Sequence, residues 1–165
     1  MLSTDSHSKT IFFQSLGCPK NLVDAEVMLG ITKEHHYQFV EDPAQAEVIV
    51  VNTCSFINDS KKESINTVLE LTENKKTGKC QRLIVSGCLP QRYKEDLKAS
   101  FPEVDAFVGT GQYHQILEFI DGKKEDVSGF KHPKYLHNEN TPRINSQPSH
   151  RAYLKVSEGD RKSVV

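Results

Sequence analysis

The chain has 165 residues, and its 21 Lys and Arg against 22 Asp and Glu give a formal net charge of -1. That balance provides no global electrostatic drive toward nucleic acid or an anionic membrane. A chain of this length buries about 70% of its unfolded surface, enough for a core without disulfide staples. Met1 to Thr10 lacks the apolar stretch of a signal peptide, and the longest aliphatic run, Val48-Ile49-Val50-Val51, is far too short to cross a bilayer. The chain therefore reads as soluble and cytoplasmic. In that reducing compartment its four cysteines point to ligation, catalysis or burial rather than to disulfides.

Short β-branched or aromatic runs alternate with stretches of helical spacing. Ile11-Phe12-Phe13 predicts a strand, and Asn21 to His35 a helix whose face includes Leu22, Val23, Val27, Met28, Leu29 and Ile31. Tyr37 to Val40 predicts a short strand. Val48 to Val51 is a continuous aliphatic run, expected of a strand covered on both faces of a parallel sheet. Ser60 to Thr72 places Ile65, Val68, Leu69 and Thr72 at i, i+3, i+4 and i+7, an amphipathic helix. Leu83-Ile84-Val85 repeats the strand signal, Gln91 to Ser100 the helix, Ala106-Phe107-Val108 the strand and Gln112 to Ile120 a last helix. Strands alternating with helices predict an α/β domain over residues 11–121, built on an open doubly wound parallel sheet.

Residues 1–10 are expected to be a flexible N-terminus. Residues 122–150, rich in Pro, His, Asn, Ser and Lys, have a linker's composition. Arg151 to Val156 then reads as a new strand, so residues 151–165 are expected to be the truncated start of a second domain.

Three cysteines share one structural position. Cys18 follows the first strand, Cys54 the Val-rich strand and Cys88 the Leu-Ile-Val strand. In an open parallel sheet the loops after strand carboxyl ends all open on one edge, where ligands bind. Three thiols distant in sequence are thereby expected to converge, each near the start of a helix, while Cys80, which precedes its strand, is expected at the opposite edge. Such a set suits a soft metal or an iron–sulfur centre. Structural zinc normally takes four protein ligands, usually in local CxxC pairs that are absent here; a four-iron cluster held by three thiolates keeps one iron open. The alternative on spacing alone is plain burial, since free Cys is among the most buried residue types.

The stretches Ser15-Leu-Gly-Cys-Pro-Lys-Asn-Leu-Val-Asp24, Val51-Asn-Thr-Cys-Ser-Phe-Ile57, Val85-Ser-Gly-Cys-Leu-Pro-Gln-Arg92 and Val108-Gly-Thr-Gly111 resemble the N-terminal domain of the radical-SAM methylthiotransferases. The Gly-Cys-Pro-Lys-Asn form is similar to the branch acting on ribosomal protein S-twelve, whereas the transfer-RNA branch typically carries Gly-Cys-Gln-Met-Asn. The resemblance covers about residues 11–121 and resumes at Ala152-Tyr-Leu-Lys-Val-Ser-Glu-Gly159. It implies that Cys18, Cys54 and Cys88 are the three ligands of an auxiliary 4Fe–4S cluster, whose open iron holds the sulfur that becomes the methylthio group. It further implies a second 4Fe–4S cluster that binds S-adenosylmethionine, and a radical that abstracts hydrogen from the β-carbon of an aspartate in the ribosomal protein. The partner so implied is ribosomal protein S-twelve; the sequence itself carries no membrane and no direct nucleic-acid signal.

Where the family continues Glu-Gly-Cys into CxxxCxxC, this chain reads Glu158-Gly-Asp-Arg-Lys-Ser-Val-Val165, and no cysteine follows Cys88. The reading is thus of a fragment or a truncated reading frame, a transferase by family that by itself is not expected to catalyse methylthiolation. The competing readings are a transfer-RNA methylthiotransferase domain and a non-enzymatic α/β binding module with buried cysteines.

Overall fold

A continuous aliphatic strand is stable only where both its faces are covered, and that requirement places Val48–Val51 at the centre of the structure. In the computed structural model, which describes residues 8–124, 135 and 137–156, five strands form one parallel sheet in the order β2-β1-β3-β4-β5. These are β1 (Thr10–Ser15), β2 (Gln38–Phe39), β3 (Val48–Thr53), β4 (Arg82–Gly87) and β5 (Ala106–Val108). β3 is central, all six of its residues are buried, and Val50 lies opposite Phe13 of β1 and Ile84 of β4. The strand order reverses between β1 and β3, as the doubly wound reading requires.

Among the described residues four helices cover the sheet: α1 (Pro19–Glu34), α2 (Asn58–Thr77), α3 (Cys88–Ser100) and α4 (Ile116–Ile120). Side chains alternate across each strand. Ile11, Val48, Val50, Ile84 and Val108 meet α1 and α4 on one face; Ile49, Val51, Leu83, Val85 and Phe107 meet α2 and α3 on the other. Between β2 and β3 the chain makes only a 3-10 turn, Pro43–Gln45, because Asp42 accepts the Ala44 N–H at 2.9 Å and closes the turn at once. Among the described residues no helix is long and apolar enough to cross a membrane.

Two expectations need correction. The buried face of α2 is Ser64, Val68, Leu71 and Thr72, while Leu69, assigned to that face by periodicity, is half exposed. The helix is rotated because Ser64 must reach the backbone of Cys54, as described below. Arg151–Val156 forms no strand. The segment instead lies against α1, where Lys155 Nζ meets Asp24 Oδ1 at 2.6 Å. Residues 1–7, 125–134, 136 and 157–165, which carry most of the expected flexible N-terminus and parts of the two C-terminal segments, lie outside the described residues.

That contact explains why α1 has little one-sided apolar character. Its buried residues include Asn21, Asp24, Glu26 and Thr32 beside Val23, Val27 and Met28, because one side faces the sheet and the other faces a strap formed by residues 141–156. Glu26 has no exposed side-chain surface. It accepts Arg143 Nε at 2.9 Å and Nη2 at 2.6 Å, and Ser146 N and Oγ at 2.8 and 2.7 Å. Burial alone would raise its pKa, but the Ser146 hydroxyl, the Ser146 N–H and the Arg143 guanidinium outweigh it and hold the carboxyl below its ordinary 4.5. The strap's backbone also crosses α1 at Gly30, where a Cβ would stand 2.5 Å from Arg143 N and Pro142 C.

Gly30→Ala is therefore expected to destabilise, although Ala is favoured over Gly inside a helix by about 1 kcal/mol. Thermal melting should show a lower Tm, and limited proteolysis earlier cleavage within residues 137–156; a raised Tm would mean that the strap does not pack there. Because the folded pKa of Glu26 is depressed, its contribution to stability is present above pH about 4.5 and is lost as pH falls through the lower folded value. Denaturant titrations of Glu26→Gln from pH 3 to pH 7 are expected to show a flatter acid limb than wild type.

Candidate functional site

Strands β1, β3 and β4 end at one edge in register, with Ser15 opposite Asn52, Asn52 opposite Ser86 and Thr53 opposite Gly87. From that edge emerge Cys18, the N-cap of α1, Cys54, immediately after β3, and Cys88, the first residue of α3. Cys18 and Cys88 stand at helix starts as expected, whereas Cys54 is separated from α2 by a short loop. Cys54 is buried, Cys88 partly buried and Cys18 exposed.

Two turns bring these loops together. Gly17 and Gly87 both have φ of 102°, a conformation open to glycine and costly to other residues. A Cβ on Gly17 would lie 2.6 Å from Cys54 Cβ and 3.0 Å from its Sγ, so the first loop rests directly on the second cysteine. The third thiol senses both others: burial first, and then the charges of Cys54 and Cys18, push the Cys88 thiol up to about 11, with Lys20 acting in the opposite sense. Such a group of thiols resists carrying three negative charges until a cation compensates them, so metal binding there would release protons. Cys80 does not join the group. It precedes β4 at the amino edge, where burial pushes its thiol up to about 11.

Polar residues stitch the three loops. Asn21 Nδ2 donates to the carbonyls of Leu16 at 3.1 Å and Thr53 at 2.8 Å, and Asn52 Nδ2 donates to Asn21 O at 2.6 Å. Ser64 Oγ accepts the Cys54 N–H at 3.1 Å and donates to its carbonyl at 2.8 Å. Arg92 Nη1 donates to Ser55 O at 3.2 Å, and Gln91 Oε1 accepts the Thr110 N–H at 3.2 Å. Asn21, Gln91 and Arg92 stand inside the motif stretches, but their roles as stitches were missed in the sequence. The signal for Ser64 was a hydroxyl one turn before Val68 on the helix's buried face.

Three thiols are soft donors of the kind that soft metals and iron–sulfur centres take. Zinc would need its sulfurs at about 2.3 Å from one point, and among the described residues no three His, Cys, Asp or Glu side chains are placed to hold one ion. A four-iron cluster takes one thiolate at each iron that the protein ligates. Asn52 Oδ1 and Ser55 Oγ, which flank Cys54 in the chain, are buried without a hydrogen-bond partner, an arrangement that folded proteins mostly avoid and that occurs at ligand sites.

Residues 10–109 match the family model described as uncharacterized protein family UPF0004. The chain belongs to this family. The UPF0004 segment thus spans the whole sheet and all three cysteines. Over 166 aligned residues the chain is 48% identical to the ribosomal protein uS12 methylthiotransferase RimO of Bdellovibrio bacteriovorus, covering 98% of this chain and 36% of that protein. Identity to the RimO of an Anaeromyxobacter species is 49%, covering 90% of this chain and 32% of the relative, and to that of Geobacter sulfurreducens 51%, covering 88% and 33%. The chain spans about a third of the length of the curated relatives it matches.

Replacing Asn21 with Ala would orphan one buried carbonyl, Thr53 O, and one partly buried carbonyl, Leu16 O, which hold the first loop to the second. The expected loss is on the order of 1–3 kcal/mol, the cost of one unpaired buried group, with a smaller addition from the partly buried one. Chemical denaturation measures it, and a loss under about 0.5 kcal/mol, typical of a surface substitution, would remove Asn21 from the stitching.

Proposed function

We propose that this chain is the auxiliary-cluster domain of a methylthiotransferase acting on ribosomal protein S-twelve, with Cys18, Cys54 and Cys88 each holding one iron of a 4Fe–4S cluster. The observation that carries this reading is the gathering of three thiols from three strand ends at one edge, with Gly17 resting on Cys54 and the Cys88 thiol sensing both others. The names of the relatives supply the reaction and the substrate protein. When bound, a cluster with three protein ligands supplies an open iron corner for an exogenous sulfur ligand.

The protein's own part is positional. Gly17 and Gly87 turn the chain so that Cys18 and Cys88 face Cys54, Ser64 fixes the Cys54 backbone, and Asn21 locks the first loop to the second. In this reading residues 11–121 are the cluster domain, residues 122–150 the connection, and residues 151–165 the beginning of a radical-SAM domain. S-adenosylmethionine, a second cluster and the aspartate β-carbon belong to the whole enzyme, which would act in the cytoplasm.

Anaerobic reconstitution with iron and sulfide tests the proposal. The wild-type chain is expected to take up about four irons and to show the visible absorption of an iron–sulfur centre. Cys54→Ala should lose most of that iron, while Cys80→Ala should retain it. The loaded 165-residue chain is expected to form no deoxyadenosine from S-adenosylmethionine, since no cysteine after Cys88 is present to ligate a second cluster. A well-folded wild type that takes up no iron would sink the reading.

A further inference from the structure

Ser55 is 5% exposed, while the residues that follow it, Phe56 and Ile57, are 84% and 54% exposed. The loop after β3 thus buries a hydroxyl and leaves large apolar side chains in water, the reverse of the usual preference. Nothing local repays that choice. Ser55 Oγ is buried without a hydrogen-bond partner among the described residues, and a buried hydroxyl left unpaired is costly.

The hydroxyl's place is fixed from both sides. The peptide before Ser55 is held by Ser64, whose Oγ donates to Cys54 O at 2.8 Å, and the peptide after it by Arg92, whose Nη1 donates to Ser55 O at 3.2 Å. Arg92 follows Cys88 by four residues in the first turns of α3, so the two share one helix face. Ser55 is therefore next to Cys54 in the chain and tied through its own carbonyl to the side chain one turn beyond Cys88. The guanidinium of Arg92 has no acceptor to offer the hydroxyl. A donor stands ordered at the cysteine edge and lacks only something to receive it.

We propose that the Ser55 hydroxyl donates a hydrogen bond to a sulfur of the cluster held by Cys18, Cys54 and Cys88, and thereby raises the cluster's reduction potential. Hydrogen bonds to the sulfurs are among the levers that set the potential of such clusters. Reduction adds one electron to the cluster, and no bond to the protein forms or breaks. An O–H donor beside the sulfurs favours the more negative, reduced form, because hydrogen bonds strengthen with the charge of the acceptor. This inference rests on the cluster reading above and adds to it a residue that ligates no iron.

The test reconstitutes the full chain anaerobically as wild type, S55A and S55T, counts iron, and verifies folding by circular dichroism. Each sample is then titrated with dithionite through redox mediators, the reduced cluster being read by electron paramagnetic resonance. S55A should keep the wild-type iron content, but at a fixed potential its ratio of reduced to oxidised cluster should fall about tenfold, a shift of about 59 mV to lower potential for one electron. S55T, which keeps the hydroxyl, should recover most of that shift. After exchange into deuterated water, electron–nuclear double resonance of the reduced wild type should show a coupled deuteron that S55A lacks, a reading independent of whether the extra methyl of S55T fits. A wild-type potential in S55A, or an unchanged deuteron signal, would overturn the proposal and leave the cluster reading intact. Loss of iron from S55A on the scale of Cys54→Ala would also overturn it, by making Ser55 part of the scaffold. Wild type without iron would remove both readings.

Discussion

The reversal of strand order between β1 and β3 is the constraint from which the rest of the molecule follows. From β1 the chain goes outward to β2 and then back across to β3, so the loops leaving these two neighbours diverge and a crevice opens between them at the carboxyl edge. Cys18 and Cys54 stand on its two sides, and Cys88 comes from the next strand. No local motif assembles this set; parallel pairing does, because all strands that end at one edge deliver their next residues to the same place.

Delivering three loops to one place has a cost that the surrounding residues meet. Loops near a sheet edge carry backbone groups with no ladder partner, and buried groups of that kind are destabilising unless paired. The side chains of Asn21, Asn52, Ser64, Gln91 and Arg92 each bond a backbone group of another segment. The arrangement is thus held by several modest bonds rather than by one strong contact. Asn52 Oδ1 and Ser55 Oγ are the two atoms near Cys54 left out of it.

Much of this was legible in the sequence because period and position are local properties. The aliphatic run of β3, the strand–helix alternation and the strand-end cysteines could all be read without coordinates. Leu69 and the segment Arg151–Val156 could not, since in both a distant polar group decides the outcome. Ser64 rotates α2 toward the Cys54 backbone, and Asp24 claims Lys155 for α1. Glu26 fell within the predicted helix Asn21 to His35, yet its meaning depended on Arg143 and Ser146, more than a hundred positions away. A linker-like composition describes how few apolar anchors a segment has; it says nothing of the buried charges that segment is needed to answer.

The separations within the strap also set an order of events. Its bonds to α1 join residues 117, 120 and 131 apart, and closing such long loops costs more chain entropy than forming the neighbouring strand–helix units. The sheet and its helices would accordingly assemble first, with Glu26 and Asp24 on different sides of α1 still awaiting the strap groups that bond them. Docking of residues 141–156 would then come last. During synthesis the same order is imposed from outside, because the chain is made N-terminus first and Arg143 and Lys155 leave the ribosome only after every strand of the sheet has been made. The strap therefore works as a late latch, and a chain interrupted before it would present two acidic side chains on a half-covered helix, a surface different from that of the finished protein.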